Sequence, residues 1–283
     1  MAKAPTSSSS QHPSPTEGPG RHLKNLLRGD QVVIGGIITE YLRPSLIKYY
    51  LQAGFDFVFI ENEHTWFSPA DIVDTVLCAR DNGLPVIAKT PQLERAEVAK
   101  MLECGIVGVQ LPRTETREQV ETLRDYLKFP PHGSRAVAPG WGNSSYVAPT
   151  DWNVWIADQN QETTIIVHIE TRLGYENAEQ IITTPGVDMV YVGPGDFSVE
   201  MGHPGDYDHP DVAGPLQEIL ALCVQHEVPF GTTPSGTESA RRLVAQGARF
   251  FEAIDELTLI YEGAARLIRD FRGDETGVPV IKR

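Results

Sequence analysis

Short apolar runs rich in β-branched residues alternate with helical stretches along almost the whole chain. Eight such runs occur after residue 30, and each is followed by a helix-like pattern or by room for one. This alternation is typical of parallel α/β folds, in which helices cover the strands. We therefore predict one (β/α)8 barrel, a TIM barrel, with strands at 32–39, 55–61, 85–90, 107–111, 164–170, 188–193, 229–233 and 250–254.

The helical stretches between these runs have the lengths that a barrel requires. An open, doubly wound sheet has the same periodicity, so the spacing alone does not separate the two folds. However, the first run is not followed by the G-x-G-x-x-G loop that a dinucleotide-binding sheet would use. The helices are predicted at 69–81, 94–104, 115–128, 173–183, 212–226, 238–246 and 256–272.

Composition excludes several classes of partner. The formal charge of −14 argues against nucleic acid and anionic membranes, because both require a basic surface. Three scattered cysteines favour a reducing compartment, so a cytoplasmic location is expected. No apolar run approaches the roughly 18 residues that cross a bilayer. Residues 1–28 begin with a Ser-, Pro- and Gly-rich stretch and are predicted as a disordered tail, with residues 29–283 forming the single domain.

Residues 129–160 form the longest stretch without a regular pattern. The stretch carries four aromatic side chains, Trp141, Tyr146, Trp152 and Trp155. Long loops within a compact domain are usually functional. We predict that this segment forms a wall or lid over the mouth of the active site.

Two acids, Glu170 and Asp196, each follow an apolar run at the point where it breaks into a turn. The carboxyl ends of barrel strands meet at one mouth, so these carboxylates are expected to lie near each other. Together with water or substrate oxygens, two carboxylates can hold a hard divalent cation. The alternative is that each acid only caps the helix that follows. Their shared placement favours a metal site.

His168 lies two residues before Glu170 and therefore on the same face of the strand. Its side chain could be a third metal ligand, a group that hydrogen-bonds to the site, or a core histidine whose hydrogen bonds are satisfied elsewhere. The sequence leaves these three roles open.

A general base and a cation are also expected at this mouth. His64 follows Glu61 and Glu63, and a neighbouring carboxylate can orient the imidazole and hold its proton near neutral pH. Lys89 ends the third run, where it could be a Schiff-base nucleophile or a cation that binds a substrate carboxylate. The carboxylate pair suited to a metal favours the second role for the lysine.

The turn Gly193-Pro194-Gly195 leads directly into Asp196. Its glycines allow a ligand to approach the backbone closely, and N–H groups near such turns bind anions, although proline lacks one. This signal is weak by itself, because similar turns join strands to helices in many folds.

Three motifs taken together resemble the HpcH/HpaI-type class II aldolases that act on 2-oxo acids. They are GFDFVFIENEH at 54–64, HIETR at 168–172 and GPGDFSVEMG at 193–202, and the likeness extends from residue 29 to residue 272. The resemblance implies a (β/α)8 barrel that assembles into homo-trimers or homo-hexamers. It also implies a divalent ion, such as Mg²⁺, Mn²⁺ or Co²⁺, as cofactor.

The resemblance further implies a role for individual residues. The histidine of the family pairs with an acid from an adjacent subunit, which falls on Glu103 in this chain. The other implied site residues are Glu170 and Asp196 as metal ligands, His64 as the catalytic histidine, and Gly193, Pro194, Gly195, Lys89 and His168 around the substrate.

The chain departs from the family pattern near the substrate. Lys89 stands where the family has an arginine, so it keeps the charge but loses the bidentate fork. His168 replaces a glutamine, and Asn62 replaces a glycine. These changes leave the metal-binding acids intact.

The leading hypothesis is a metal-dependent carbon–carbon lyase that forms or cleaves a bond between a pyruvate-type enolate and an aldehyde. One alternative is an oxaloacetate decarboxylase, with or without capture of the enolate by an electrophile. An alternative of another class is a non-catalytic barrel that binds a metal or a 2-oxo acid.

Overall fold

The computed structural model describes residues 18–272, and eight parallel strands close a barrel in chain order. The last strand pairs with the first, so the predicted barrel is confirmed and the open sheet is excluded. The strands are β1 Val33–Ile38, β2 Phe57–Ile60, β3 Val86–Lys89, β4 Gly108–Leu111, β5 Thr164–Ile169, β6 Met189–Val192, β7 Phe230–Thr232 and β8 Phe250–Asp255.

Helices surround the barrel, and each predicted helix is found within a few residues of its expected bounds, with 173–183 divided into two short helices. Within residues 18–272 the helices are α1 Pro19–Arg28, α2 Pro44–Ala53, α3 Pro69–Asp81, α4 Arg95–Cys104, α5 Arg117–Leu127, α6 Trp152–Glu162, α7 Arg172–Glu176, α8 Ala178–Ile182, α9 Pro194–Glu200, α10 Pro210–Gln225, α11 Thr237–Gln246 and α12 Glu256–Arg272.

The lower part of the barrel interior is apolar. Phe57 of β2 and Phe250 of β8 stack with ring centroids 4.2 Å apart. Leu23 and Leu27 of α1 belong to the same buried cluster, so this helix closes the amino-terminal end of the barrel. A second, larger apolar cluster lies between the strands and the surrounding helices.

The disordered tail was predicted to extend to residue 28, and this boundary is wrong for the tail residues that the structure describes, 18–28. Residues 19–28 form α1, which buries Leu23 and Leu27. The helix is held by a distant partner, because Glu162 accepts a hydrogen bond from the Gly20 amide and pairs with Arg21. Local composition could not reveal a contact with a residue so far along the chain. Residues 1–17 lie outside the described part.

The prediction that residues 129–160 form a wall or lid over the mouth is also wrong within one copy of the chain. The segment contains α6 and a short 3₁₀ helix at Gly142–Ser144, and it packs at the amino-terminal end of the barrel. Lys128 donates to the carbonyl of Thr163, directly before β5, and the Gly142 backbone lies against the Cys104 carbonyl at the end of α4. The segment is therefore at the end opposite to the mouth.

No helix within residues 18–272 combines the length and the apolar character needed to cross a membrane. All three cysteines, Cys78, Cys104 and Cys223, are free thiols.

Candidate functional site

The carboxyl ends of β2, β3, β5 and β6 bring the expected site residues to one mouth. Lys89 is the last residue of β3, and Glu170 directly follows β5. Asp196 lies in the first turn of α9, and His64 lies in the loop that follows β2. Their charges act on one another, since Lys89, Asp196 and Glu63 all influence the pKa of Glu170.

Glu170 is a buried carboxylate with one clear hydrogen bond. Its Oε1 accepts from the Arg113 amide at 2.7 Å. Arg113 has a φ of 45°, in the left-handed region that non-glycine residues rarely adopt. Burial raises the pKa of Glu170 to about 7, and the charges of Asp196 and Glu63 act in the same direction. Without a cation, this carboxylate therefore carries an electrostatic cost near neutral pH.

His168 is buried and lies beside Glu170. Its Nε2 is 3.1 Å from Oε2 of Glu170, but neither ring nitrogen makes a hydrogen bond within residues 18–272. The ring packs edge-on against Tyr191, with centroids 4.8 Å apart. Burial, with the charges of Lys89 and His64, lowers the pKa of His168 well below its usual range. The imidazole is therefore neutral at physiological pH.

Gly193 provides the space that His168 occupies. A Cβ atom at position 193 would lie 2.2 Å from Nε2 of His168 and 3.2 Å from Oε2 of Glu170. A Cβ atom at Gly195 would meet nothing within 4 Å. Neighbouring side chains of this chain therefore exclude a side chain at position 193 but leave space for one at position 195.

Lys89 forms two ion pairs at the mouth. Its Nζ lies 2.9 Å from Oε2 of Glu61 and 3.3 Å from Oε2 of Glu63. Burial opposes the charged form, but the attraction of Glu61, Glu170 and Glu63 outweighs it and raises the pKa of Lys89. The side chain stays protonated, which fits a binding cation and opposes a Schiff-base nucleophile, since the latter needs a neutral amine.

The carboxylate beside the His64 ring is Glu63. Nε2 of His64 lies 3.4 Å from Oε2 of Glu63, and the side chain is 62% exposed. Glu61, expected as one partner of the ring, instead accepts hydrogen bonds from the backbone amides of Glu63 and His64 and binds Lys89. Ligand atoms of Glu61, Glu63 and His64 lie within 4.8 Å of one another, so this group could itself hold a metal ion.

Glu103 lies far from His64 within one chain. It is in the last turn of α4, which runs antiparallel to the strands and ends at the amino-terminal side of the barrel. Burial raises the pKa of Glu103, whereas the nearby Arg135 guanidinium lowers it. Any contact between Glu103 and His64 therefore requires a second copy of the chain.

Sequence reasoning missed a buried polar group beneath the mouth. Glu252 of β8 accepts a hydrogen bond from Gln110 of β4 at 2.8 Å. Tyr191, which packs on His168, also interacts with Glu252. Burial raises the pKa of Glu252 to about 8. The available signal was a polar residue within each of two otherwise apolar runs, at 107–111 and 250–254.

A second cluster of metal-ligand type lies between α9 and α10. Ligand atoms of His203, His209 and Asp211 approach within 4.8 Å of one another. The two imidazoles stack with centroids 3.3 Å apart, and Nδ1 of His209 accepts from the Asp211 amide at the start of α10. These contacts cap and brace the helix, so we assign no chemistry to the cluster.

The donor set at the mouth fits a divalent cation. Buried Glu170 lies near further carboxylates, and the adjacent His168 has two nitrogens without a hydrogen-bond partner in the described chain. Carboxylate oxygens suit Mg²⁺ and Mn²⁺, and a neutral imidazole suits Mn²⁺, Co²⁺ and related ions.

Comparison with known proteins identifies a family model and relatives that match most of this chain. The model of the family described as HpcH/HpaI aldolase/citrate lyase matches residues 40–260. Among curated proteins, the 5-keto-4-deoxy-D-glucarate aldolase of Salmonella arizonae is 30% identical over 250 residues, which cover 88% of this chain and 96% of that protein.

Solved structures show the same architecture. An HpcH/HpaI aldolase/citrate lyase family protein from Burkholderia cenocepacia J2315 superposes with a TM-score of 0.82 and 26% identity, over 89% of this chain and 100% of that chain. Macrophomate synthase superposes with a TM-score of 0.76 over 98% of this chain and 97% of its own. At 22% identity, the latter likeness concerns the fold alone.

Proposed function

Because this chain belongs to the HpcH/HpaI aldolase/citrate lyase family, and is a carbon–carbon lyase of the class II aldolase type, we propose that it joins or cleaves a bond between a pyruvate-type enolate and an aldehyde. The observation that carries the proposal is the buried Glu170 carboxylate, set beside an unpaired imidazole and near further acids. Such a concentration of donors and negative charge is stabilised by a cation.

The proposed cofactor is a divalent ion such as Mg²⁺, Mn²⁺ or Co²⁺, held by Glu170 and Asp196. When bound, such an ion supplies Lewis-acid stabilisation of the negative charge that develops on the enolate oxygen. Both acids follow adjacent strands of the barrel, Glu170 after β5 and Asp196 after β6.

His64 is the proposed proton-transfer group. Its ring is exposed at the mouth and lies beside Glu63, which can orient it. In the cleavage direction His64 takes the proton of the C4 hydroxyl group, through a water molecule, and in the synthetic direction it returns that proton.

Lys89 and the backbone at 193–195 are proposed to bind the 2-oxo acid. The lysine supplies a fixed positive charge near the enolate, because two carboxylates keep it protonated. The backbone of Gly193, Pro194 and Gly195 borders the space next to Asp196, and the absence of a side chain at Gly195 leaves room for the substrate carboxylate. His168 lines the same space from below.

A homo-oligomer, a trimer or a hexamer, is part of the proposal. The exposed hydrophobic side chains of α12 include Ile260, Leu267 and Phe271, and Trp66 beside His64 is fully exposed. Apolar surface of this kind typically marks contacts between proteins. In such an assembly Glu103 of a neighbouring copy is proposed to pair with His64. The free thiols fit the cytoplasmic location that we also propose.

The deciding experiment measures exchange of the pyruvate methyl protons in D₂O by NMR, because it needs no knowledge of the aldehyde. Protein stripped of metal should exchange slowly, and added Mg²⁺ or Mn²⁺ should accelerate exchange. Glu170→Ala should abolish this acceleration, whereas Glu176→Ala, the same change on the exposed side of α7, should retain it. Metal-dependent exchange that survives in Glu170→Ala would overturn the proposed site.

Substrate tests then identify the reaction. The first compound to try is 5-keto-4-deoxy-D-glucarate, the substrate named for the Salmonella arizonae relative. Aldehyde-dependent consumption of pyruvate would establish the aldol direction. Rapid release of CO₂ from oxaloacetate without aldehyde turnover would instead identify a decarboxylase.

A further inference from the structure

His168 is a buried polar side chain with no hydrogen bond within the described residues. Only 3% of the residue is exposed, and both of its ring nitrogens are without a partner. Buried polar atoms in proteins are nearly always paired, so two unpaired nitrogens on one ring need an explanation. A core histidine with satisfied hydrogen bonds, one of the roles left open by the sequence, does not describe this side chain.

The distance between His168 and Glu170 is informative because no hydrogen bond accompanies it. Nε2 and Oε2 are 3.1 Å apart, yet the ring nitrogen does not make an aligned hydrogen bond with this oxygen. Two ligands at right angles on an ion, each bonded at about 2.1 Å, are separated by about 3.0 Å. The observed separation matches that of neighbouring ligands on one ion.

The orientation of the ring is fixed from two sides. Tyr191 packs edge-on against the imidazole, and the backbone of Gly193 lies so close that any side chain there would meet Nε2. Nε2 therefore faces the space between Glu170 and the turn that carries Asp196. The side chain has little freedom to turn toward another partner.

We infer that Nε2 of His168 is a third protein ligand of the divalent ion held by Glu170 and Asp196, an inference that rests on the proposed function. A site with one nitrogen and two carboxylate ligands favours Mn²⁺, Co²⁺ and Zn²⁺ more than a site built from oxygen alone, because imidazole binds these ions better than Mg²⁺. The replacement of the glutamine that the resembled family carries at this position would thus change the metal preference of the enzyme.

Direct detection of the nitrogen ligand provides the test. Pulsed electron paramagnetic resonance of the Mn²⁺-loaded full-length protein should reveal coupling to a directly bound nitrogen. His168→Gln should remove this coupling and weaken Co²⁺ binding by about tenfold or more, while Mg²⁺ binding changes by less than about threefold. Isothermal titration of each ion measures these affinities without any assay of activity.

His64→Gln is the matched control, because Glu61, Glu63 and His64 form the other group able to bind the ion at this mouth. If coupling is retained in His64→Gln and lost in His168→Gln, the inference is supported. If coupling is lost in His64→Gln alone, the ion binds to the other group and the inference is wrong.

The test separates this inference from the proposed function. Mn²⁺ that binds at Glu170 without nitrogen coupling would refute the role of His168 and leave the metal-dependent lyase intact. In that case His168 would contact the substrate, as the sequence-based assignment has it. Failure of Glu170→Ala to reduce Mn²⁺ binding would overturn both, because no ion would then be held at this carboxylate.

Discussion

Nζ of Lys89 lies 2.9 Å from Oε2 of Glu61, and this ion pair connects the ends of β3 and β2 at the mouth of the barrel. The pair is largely buried, with 6% and 14% of the two side chains exposed. Glu63 shares the same ammonium group at 3.3 Å. One cation thus offsets two acids of the His64 loop, and its charge opposes the repulsion that Glu63 exerts on Glu170.

Lys89→Met should strengthen metal binding and weaken catalysis. Loss of the cation makes the electrostatic potential at the metal site more negative, so divalent ions should bind roughly tenfold more tightly, the equivalent of about 1.4 kcal/mol. The uncompensated Glu61 should destabilise the fold by roughly 3 kcal/mol. Isothermal titration and urea unfolding measure the two effects. Lys100→Met removes an exposed lysine on α4 and should change neither quantity. Unchanged metal affinity in Lys89→Met would show that this charge does not act on the metal site.

Gly193→Ala should disrupt the site through a steric contact. Its Cβ would lie 2.2 Å from Nε2 of His168, and overpacking of this kind costs roughly 1–3 kcal/mol. Gly195→Ala is the control, since its Cβ meets nothing. The double variant Gly193→Ala/His168→Ala should recover most of the lost stability but not tight Co²⁺ binding. Thermal unfolding with and without Co²⁺ measures stability and Co²⁺ binding. Equal losses of stability in Gly193→Ala and Gly195→Ala would contradict the close packing of His168 on Gly193.

Metal affinity should depend on pH through Glu170. Burial raises its pKa to about 7, so protons compete with the ion below that value. Affinity for Mg²⁺ should fall by up to about tenfold per unit as the pH decreases below 7 and should be nearly constant above it. Titration at several pH values measures this profile. A flat profile between pH 6 and 8 would show that Glu170 is already ionised.

The same raised pKa affects the stability of the metal-free protein. The folded state binds the Glu170 proton more tightly than the unfolded chain, whose carboxyl has the ordinary pKa of 4.5. Its stabilising contribution is complete below pH 4.5 and is lost as the pH rises through about 7. In Glu170→Gln this part of the pH dependence should be absent, which urea unfolding at pH 5 and pH 8 can detect.

Leu23→Ala should show that α1 belongs to the folded domain. Leu23 is fully buried at the amino-terminal end of the barrel, so truncation should cost about 2–5 kcal/mol. Arg28→Ala, on the exposed end of the same helix, should cost less than about 0.5 kcal/mol. Equal stabilities by urea unfolding would instead support the disordered tail that composition predicted.

The barrel could be predicted from the sequence because each buried strand is a continuous apolar run bounded by turns. α1 and α6 could not be predicted as reliably, because their stability comes from contacts with distant residues. Glu162 at the end of α6 binds the first turn of α1, and Trp155 of α6 packs against Phe129. The Asp151 side chain that caps α6 was a local signal that the irregular composition of 129–160 obscured.

The location of the site could be predicted, but the contacts within it could not. Strand ends indicate which residues reach the mouth, and they correctly bring Glu170, Lys89 and His64 to the same end of the barrel. They do not indicate that Glu61 would bind Lys89 while Glu63 lies beside the histidine ring. Those pairings depend on loop geometry between β2 and α3, for which the sequence contains no periodic signal.

The close approach of His168 to Gly193 also limits how this enzyme can change during evolution. A side chain at position 193 would clash with the imidazole, so a lineage that first loses or shrinks residue 168 avoids the cost of overpacking when it replaces the glycine. One order of the two substitutions is therefore favoured, although either order gives the same final sequence. Among descendants of this chain, variation at 193 should be concentrated in those that no longer carry histidine at 168.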